Sequence, residues 1–325
     1  MNIIVFGGAG FVGLNIAAAA LARSDSVTVF DRRKPHGDAM IHLKARRGRL
    51  RVITGDVRDA AAVKAAIVRG TDLVIMGAAI TAGPEREASD ATTILSVNLM
   101  AQVAMLEGAR DAGARRVINL SSAAAYGAEG DRRDVLTEET PVDPLALYGI
   151  TKFASERIAA RLGRLWGLDV ISARLSGVFG PFEHDTGVRD TLSPPYQVLT
   201  ALERGEAALL PRPGLRDWTY ATDIAEAVLA LGDAGTLARK VYNVTTARTF
   251  SVLDFGRALA LAKPGAVCRL VEAGESPNID LFGPVDRAPM SAAAIATDAG
   301  WRARFDMAAA IADLGHWRGT PNSGA

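Results

Sequence analysis

Tyr148 and Lys152 stand four residues apart in YGITK, a spacing that puts both side chains on one face of a helix. An ammonium beside a phenol favours the ionised phenol. A tyrosine placed this way can take a proton from a hydroxyl while a hydride departs, or give the proton back. Ser122, in NLSSAAAYG, follows a run that reads as a strand, where its hydroxyl could hydrogen-bond the reacting oxygen. Ser121 is the structural alternative to it. A lone Y-x-x-x-K pair arises often by chance, so its weight depends on what precedes it.

What precedes it is a glycine loop. FGGAGFVG follows the first apolar run, and Gly7, Gly10 and Gly13 bracket Phe11 and Val12. Glycines at that spacing allow a tight turn, a close backbone approach to a pyrophosphate and close packing of helix on strand. The helix that follows offers free N–H groups and a positive dipole end to the phosphates. Asp31 ends the second apolar run and suits the adenosine ribose hydroxyls, so NAD is the expected cofactor. Arg32 directly after it could pair with a 2′-phosphate, which keeps NADP as the alternative. Asp56, in GDVRD, suits the adenine amino group with Val57 beside the ring; the other reading of Asp56 is a helix N-cap. With a nicotinamide in place, its positive ring would further favour ionised Tyr148, and Lys152 could hold the nicotinamide ribose.

These residues need a scaffold that gathers them. Short β-branched runs at 2–6, 27–30, 51–54, 73–76, 116–120 and 169–174 alternate with helical patterns at 14–23, 60–69, 89–112 and 147–166. Apolar strands alternating with helices predict an α/β fold, a Rossmann-type doubly wound parallel sheet. After Arg174 the chain turns rich in Gly and Pro, and Pro181, Pro194, Pro195, Pro211 and Pro213 are expected to break regular elements. Helical patterns return at 222–231, 252–261, 291–299 and 307–314. We expect a dinucleotide-binding domain over 1–175 carrying the catalytic residues. A smaller substrate-binding lobe over 176–318, with segments returning to the sheet, and a tail over 319–325 would follow.

Bulk properties exclude several classes. In 325 residues, 37 Lys and Arg face 36 Asp and Glu, for a formal charge of +1. That balance argues against a nucleic-acid or membrane binder. Cys268 is the one cysteine, so no internal disulfide can form, which fits a reducing compartment. His36, His42, His184 and His316 lack metal-ligand spacing, so no metal is expected. The apolar opening is interrupted by glycines and has no basic flank, unlike a signal peptide. A cytoplasmic protein is the expectation.

Together these motifs resemble the extended short-chain dehydrogenase/reductase family, the NAD-dependent epimerase/dehydratase group. FGGAGFVG is similar to its opening motif, SSAAAYG to its serine motif and YGITK to its catalytic motif; ARLSGVFGP, RDWTYATDIAEAV, VYNV and DAGW also match. The resemblance implies Ser122, Tyr148 and Lys152 as a catalytic triad, and Ala78 and Ala79 beside the cofactor. It implies Arg216 as the arginine that meets a substrate pyrophosphate in nucleotide-sugar enzymes. It also implies a homodimer built from the helices near 89–112 and 147–166. Members that eliminate water carry an Asp-Glu pair after the serine, and decarboxylating members a Glu. Here stand Ala123, Ala124 and Ala125, so plain hydride transfer is expected.

On the substrate side, Ser176 replaces a usual Asn, and an unusual segment follows with Glu183, His184, Asp185 and Arg189. Arg189 is a candidate anion clamp. Thr81 could touch the nicotinamide ribose or substrate, and Tyr126 could line the pocket or simply pack. Asn98 is expected to order backbone near the catalytic helix, and Trp218 to be core. The first reading is an epimerase of a nucleotide sugar. The second is a stand-alone dehydrogenase or reductase of a sugar, lactone or sugar acid, and the third a non-catalytic NAD-binding protein.

Overall fold

The computed structural model describes residues 1–319. Six short strands make its first half: β1 (Asn2–Phe6), β2 (Ser26–Asp31), β3 (Arg49–Thr54), β4 (Leu73–Met76), β5 (Arg116–Ser122) and β6 (Val170–Leu175); β1, β4, β5 and β6 are buried on both faces, whereas the edge strand β3 is not. Between them run α1 (Phe11–Ala22), α2 (Gly37–Lys44), α3 (Ala60–Ala66), α4 (Pro84–Leu95), α5 (Ala101–Ala112) and α6 (Leu147–Trp166). The later half adds β7 (Val178–Phe179), α7 (Pro194–Glu203), β8 (Ala208–Leu210), β9 (Leu215–Arg216), β10 (Thr219–Tyr220) and α8 (Ala221–Asp233). It ends with β11 (Val241–Val244), β12 (Phe250–Ser251), α9 (Val252–Leu261), β13 (Cys268–Leu270), α10 (Ala293–Asp298) and α11 (Met307–Gly319).

The main sheet has seven strands in the order β11-β6-β5-β4-β1-β2-β3. All of its pairings are parallel. The order reverses between β1 and β4, and ligands of such sheets lie in the crevice beyond the carboxyl ends of the strands at that point. One face is covered by α1 and α8, where Leu14, Ile16 and Leu21 meet Ile224, Val228 and Leu231. The other is covered by α3, α5 and α6 through Val63, Met105, Leu106 and Ala159. A separate core of Phe179, Val198, Trp218, Tyr220, Phe255 and Leu314 holds the later elements together.

Several local expectations need correction. The pattern over 89–112 is not one helix. Asp90 leaves helical geometry at φ −135°, and a π-helical turn, Ser96–Met100, joins α4 to α5. Pro194 and Pro195 do not break an element; they begin α7, where a missing N–H costs nothing. Ser193 caps that helix by accepting from Tyr196 N. Helix α3 stops at Ala66 because Ile67 is already extended. Helix α11 ends at Gly319, and the tail expected over 319–325 otherwise lies outside the described residues.

Candidate active site

The groove at the switch point is made by the absence of side chains. A Cβ on Gly13 would lie 2.2 Å from the Gly7 carbonyl oxygen, so only glycine lets α1 seat against the loop. Gly10 caps α1 without a side-chain bond, leaving the first-turn N–H groups of Phe11, Val12 and Gly13 for phosphate oxygens. Asp31 closes β2 and accepts from Ala9 N at 3.1 Å, tying ribose site to glycine loop. Burial raises its carboxyl above the usual carboxylate range, while the Ala9 N–H pulls the other way. Arg32 is exposed beside it. A bare loop, an uncapped helix start and a carboxylate at the second strand end together fit a dinucleotide.

Other residues expected around the cofactor stand less simply. Val57 is buried. Asp56 does not cap a helix: Asp59 caps α3 instead. The Asp56 carboxylate is gripped by Arg58 at 2.6–3.1 Å, which holds it below its usual range. Ala78 and Ala79 follow β4, half-buried at the groove. Asn98, in the π-turn, accepts from Ile80 N at 2.7 Å and donates to Ile80 O at 2.9 Å. It also reaches Thr151 Oγ1 on α6 at 3.3 Å. Asn98 therefore fixes the backbone after β4 against the helix that carries Tyr148.

Ser122 ends β5, half-buried, and its Oγ accepts from Ala124 N at 3.1 Å. Tyr148 lies in the first turn of α6. The next residue joins the two elements: a Cβ on Gly149 would sit 2.5 Å from Ala124 O, so glycine lets the start of α6 press on the turn that follows Ser122. Lys152 is buried, its Nζ donating to Leu120 O at 2.7 Å and lying 5.5 Å from the Tyr148 ring centre. Ser121 points the other way, as strand alternation requires. Its Oγ donates to Glu156 Oε1 at 2.5 Å, and Glu156 is held in a two-point pair by buried Arg174.

The substrate-side candidates separate into distinct settings. Tyr126 is fully enclosed; its hydroxyl donates to Thr137 O at 2.8 Å and meets Asn243 Oδ1 at 2.7 Å, and Arg174 covers its ring. It packs rather than lining an open pocket. Ser176 is buried with its Oγ 2.6 Å from Thr219 Oγ1. Arg216 lies over Trp218, 5.2 Å from the ring centre. Burial, with Arg287 nearby, draws the Arg216 guanidinium down to about 10. Arg287 belongs to this group although nothing in its sequence context marks it. It donates at 2.6 Å to Asp217 Oδ1, a carboxylate with no exposure. Thr81 and Arg189 are joined to each other as a parallel bridge. A cavity of about 330 Å³ lies beside Trp218 among Phe179, Tyr220, Phe250 and Phe305, and none of the residues around it is a catalytic candidate.

Comparison with known proteins supplies the family. The model described as the NAD dependent epimerase/dehydratase family matches residues 3–245. The chain belongs to that family. Among similar proteins, dTDP-glucose 4,6-dehydratase of Mycolicibacterium smegmatis is 31% identical over 244 residues, 74% of this chain and 71% of the relative. D-erythronate dehydrogenase of Cupriavidus necator is 33% identical over 186 residues, 54% of this chain and 56% of the relative. The fold matches UDP-glucose 4-epimerase of Thermotoga maritima, solved with UDP-glucose, at a TM-score of 0.80 and 19% identity, covering 98% of each chain. The family is NAD-dependent, in accord with the groove. Among the described residues no helix is long and apolar enough to cross a membrane.

Proposed function

We propose that this family member moves a hydride reversibly at a secondary alcohol of a nucleotide sugar and acts as an epimerase. The observation that carries the reading is the Gly149–Ala124 approach, which seats the first turn of α6, with Tyr148, on the turn after Ser122, and the buried Lys152 ammonium 5.5 Å from the phenol ring centre. NAD supplies the hydride acceptor and donor. Tyr148 removes the hydroxyl proton as the C–H bond breaks, and returns a proton to the oxygen in the reverse step. Ser122 hydrogen-bonds the same oxygen and shares its developing charge. Lys152, buried beside the phenol, would hold the nicotinamide ribose. The turn after Ser122 is Ala123–Ala125, which offers no second acid and base for eliminating water, so the dehydratase chemistry named for some relatives is not assigned here. Arg216 is the candidate contact for a diphosphate, with Arg287 nearby in its ion pair with Asp217.

A net dehydrogenase of a sugar acid is the second reading. It is favoured by the engagement of Ser176 with Thr219 and by the similarity to D-erythronate dehydrogenase. Absorbance at 340 nm with NAD and a panel of UDP-sugars, dTDP-sugars, free sugars and sugar acids separates the two. Conversion of a nucleotide sugar to its epimer without a steady rise supports the epimerase. A steady rise with a free acid overturns it in favour of the dehydrogenase.

We also infer a cytoplasmic homodimer. Met100, at the start of α5, and Ile150 and Leu165, on α6, expose 65%, 43% and 57% of their surface, apolar side chains that a second copy would cover.

A further inference from the structure

The segment after β7 is fastened across the mouth of the cofactor groove. On the β2 side, Arg33 donates to Thr186 O at 3.2 Å, and the rings of His36 and His184 meet edge-on at 4.6 Å. On the β4 side, Thr81 N donates to Val188 O at 2.9 Å and Asp190 N to Thr81 O at 3.1 Å. Asp190 also accepts from Gly83 N at 2.8 Å and from Arg86 at 2.9 Å. Strands β2 and β4 flank β1 in the sheet, so a span pinned at both passes over the glycine loop that β1 feeds.

Arg189 lies at the β4-side fastening, between Val188 and Asp190 and paired with Thr81. Its guanidinium is 6.0 Å from the ring centre of Phe11, the first residue of α1. It is held by Glu183 at 3.2 Å, and the Glu183 side chain has no exposure at all. Glu183 is itself fixed by Ser193 N and Ser193 Oγ, each at 2.7 Å. A buried, doubly anchored carboxylate that orients a guanidinium leaves the rest of its N–H fork to face a ligand. The ligand chemistry matching a planar fork above a helix N-terminus is a phosphate group.

We propose that Arg189 binds the pyrophosphate of the cofactor and that residues 182–193 strap the dinucleotide into the crevice. This moves Arg189 from the substrate side, where sequence alone placed it, to the cofactor. It rests on the NAD groove and not on which sugar reacts, so its test contains no substrate. NADH, ADP, adenosine and UDP are titrated into the full-length protein and into R189A. The expected result is at least about tenfold weaker NADH and ADP, with adenosine and UDP within about twofold. Unchanged ADP affinity, an equal loss for adenosine, or a loss confined to UDP would each overturn the assignment. If R189A melts earlier than the parent, R189K, which keeps the charge without the fork, should restore the melting temperature while ADP stays weakened. The strap itself is tested by R86A, which leaves Arg189 in place. NADH release followed by stopped-flow fluorescence should quicken several-fold, and an unchanged release rate would overturn the strap.

Discussion

At the residue scale the two serines that end β5 give the sharpest contrast. Sequence pointed to Ser122 with Ser121 as the structural alternative, because adjacent strand residues face opposite ways and a sequence pattern does not say which of the two faces the site. The packing supplies that face: Ser121 is bonded to Glu156 in the Glu156–Arg174 pair, whereas Ser122 is half-buried above the strand end. Substituting Ser122 by Ala should lower kcat by about 10²–10³-fold with little change in melting temperature, as for loss of an oxyanion donor. Substituting Ser121 by Ala should leave kcat nearly unchanged and cost about 1–3 kcal/mol of stability by orphaning a buried carboxylate oxygen. The reverse pattern would exchange their roles. Asp31 allows a pH test. Burial raises its carboxyl, and only the ionised form accepts from both ribose hydroxyls. NADH affinity should therefore fall on acidification from a higher pH than an ordinary carboxylate would give, and a titration that stays flat down to the ordinary carboxylate range would contradict that role. Residues such as Arg287, Asp217 and Glu156 were not legible, because their roles come from partners 70, 70 and 18 positions away in the chain.

Elements position these residues through close approaches that a sequence pattern shows only in part. The strands of the first half, to within two residues at their starts, and the span of α6 followed from the sequence pattern, and α6 ends at Gly167 in the left-handed conformation, φ +66°. The glycine loop was legible from its spacing, but Gly149 was not, since a glycine inside a helical pattern reads as a mild defect. Its role depends on Ala124 O lying where a Cβ would be. Replacing Gly149 by Ala should push the start of α6 away from Ser122 and lower kcat by about 10²-fold, the cost of an ångström-scale misplacement. NADH affinity should change much less, because the glycine loop lies on β1 and α1. Steady-state kinetics beside an NADH titration check this, and unchanged kcat would show that the approach is not needed. The π-turn at Ser96–Met100 escaped the helical pattern for a related reason. Asn98 is turned inward to grip both backbone groups of Ile80, a demand made by the neighbouring strand end rather than by the helix's own sequence.

For the whole molecule, the parallel sheet was readable because its first-half strands are short, largely apolar runs between helical patterns, while the strand order and its switch point came from the structure. The later elements were less so. Strands β7 to β10 and β13 are each two or three residues long, too short to carry a period, and the strap over 182–193 has no regular pattern. The exposed apolar side chains near α5 and α6 carry a molecule-scale prediction: M100E together with L165E should convert the proposed dimer to monomer in sedimentation velocity. A parent protein that already sediments as a monomer would remove that proposal and leave the site untouched. The hydride mechanism is tested most directly by Tyr148→Phe, with turnover of an accepted substrate and NADH affinity measured on one preparation. Turnover should fall by about 10²–10⁴-fold, the usual contribution of a positioned acid/base, while NADH binds as in the parent. Turnover that survives intact would show that the proton is handled elsewhere and that Tyr148 is not the acid/base.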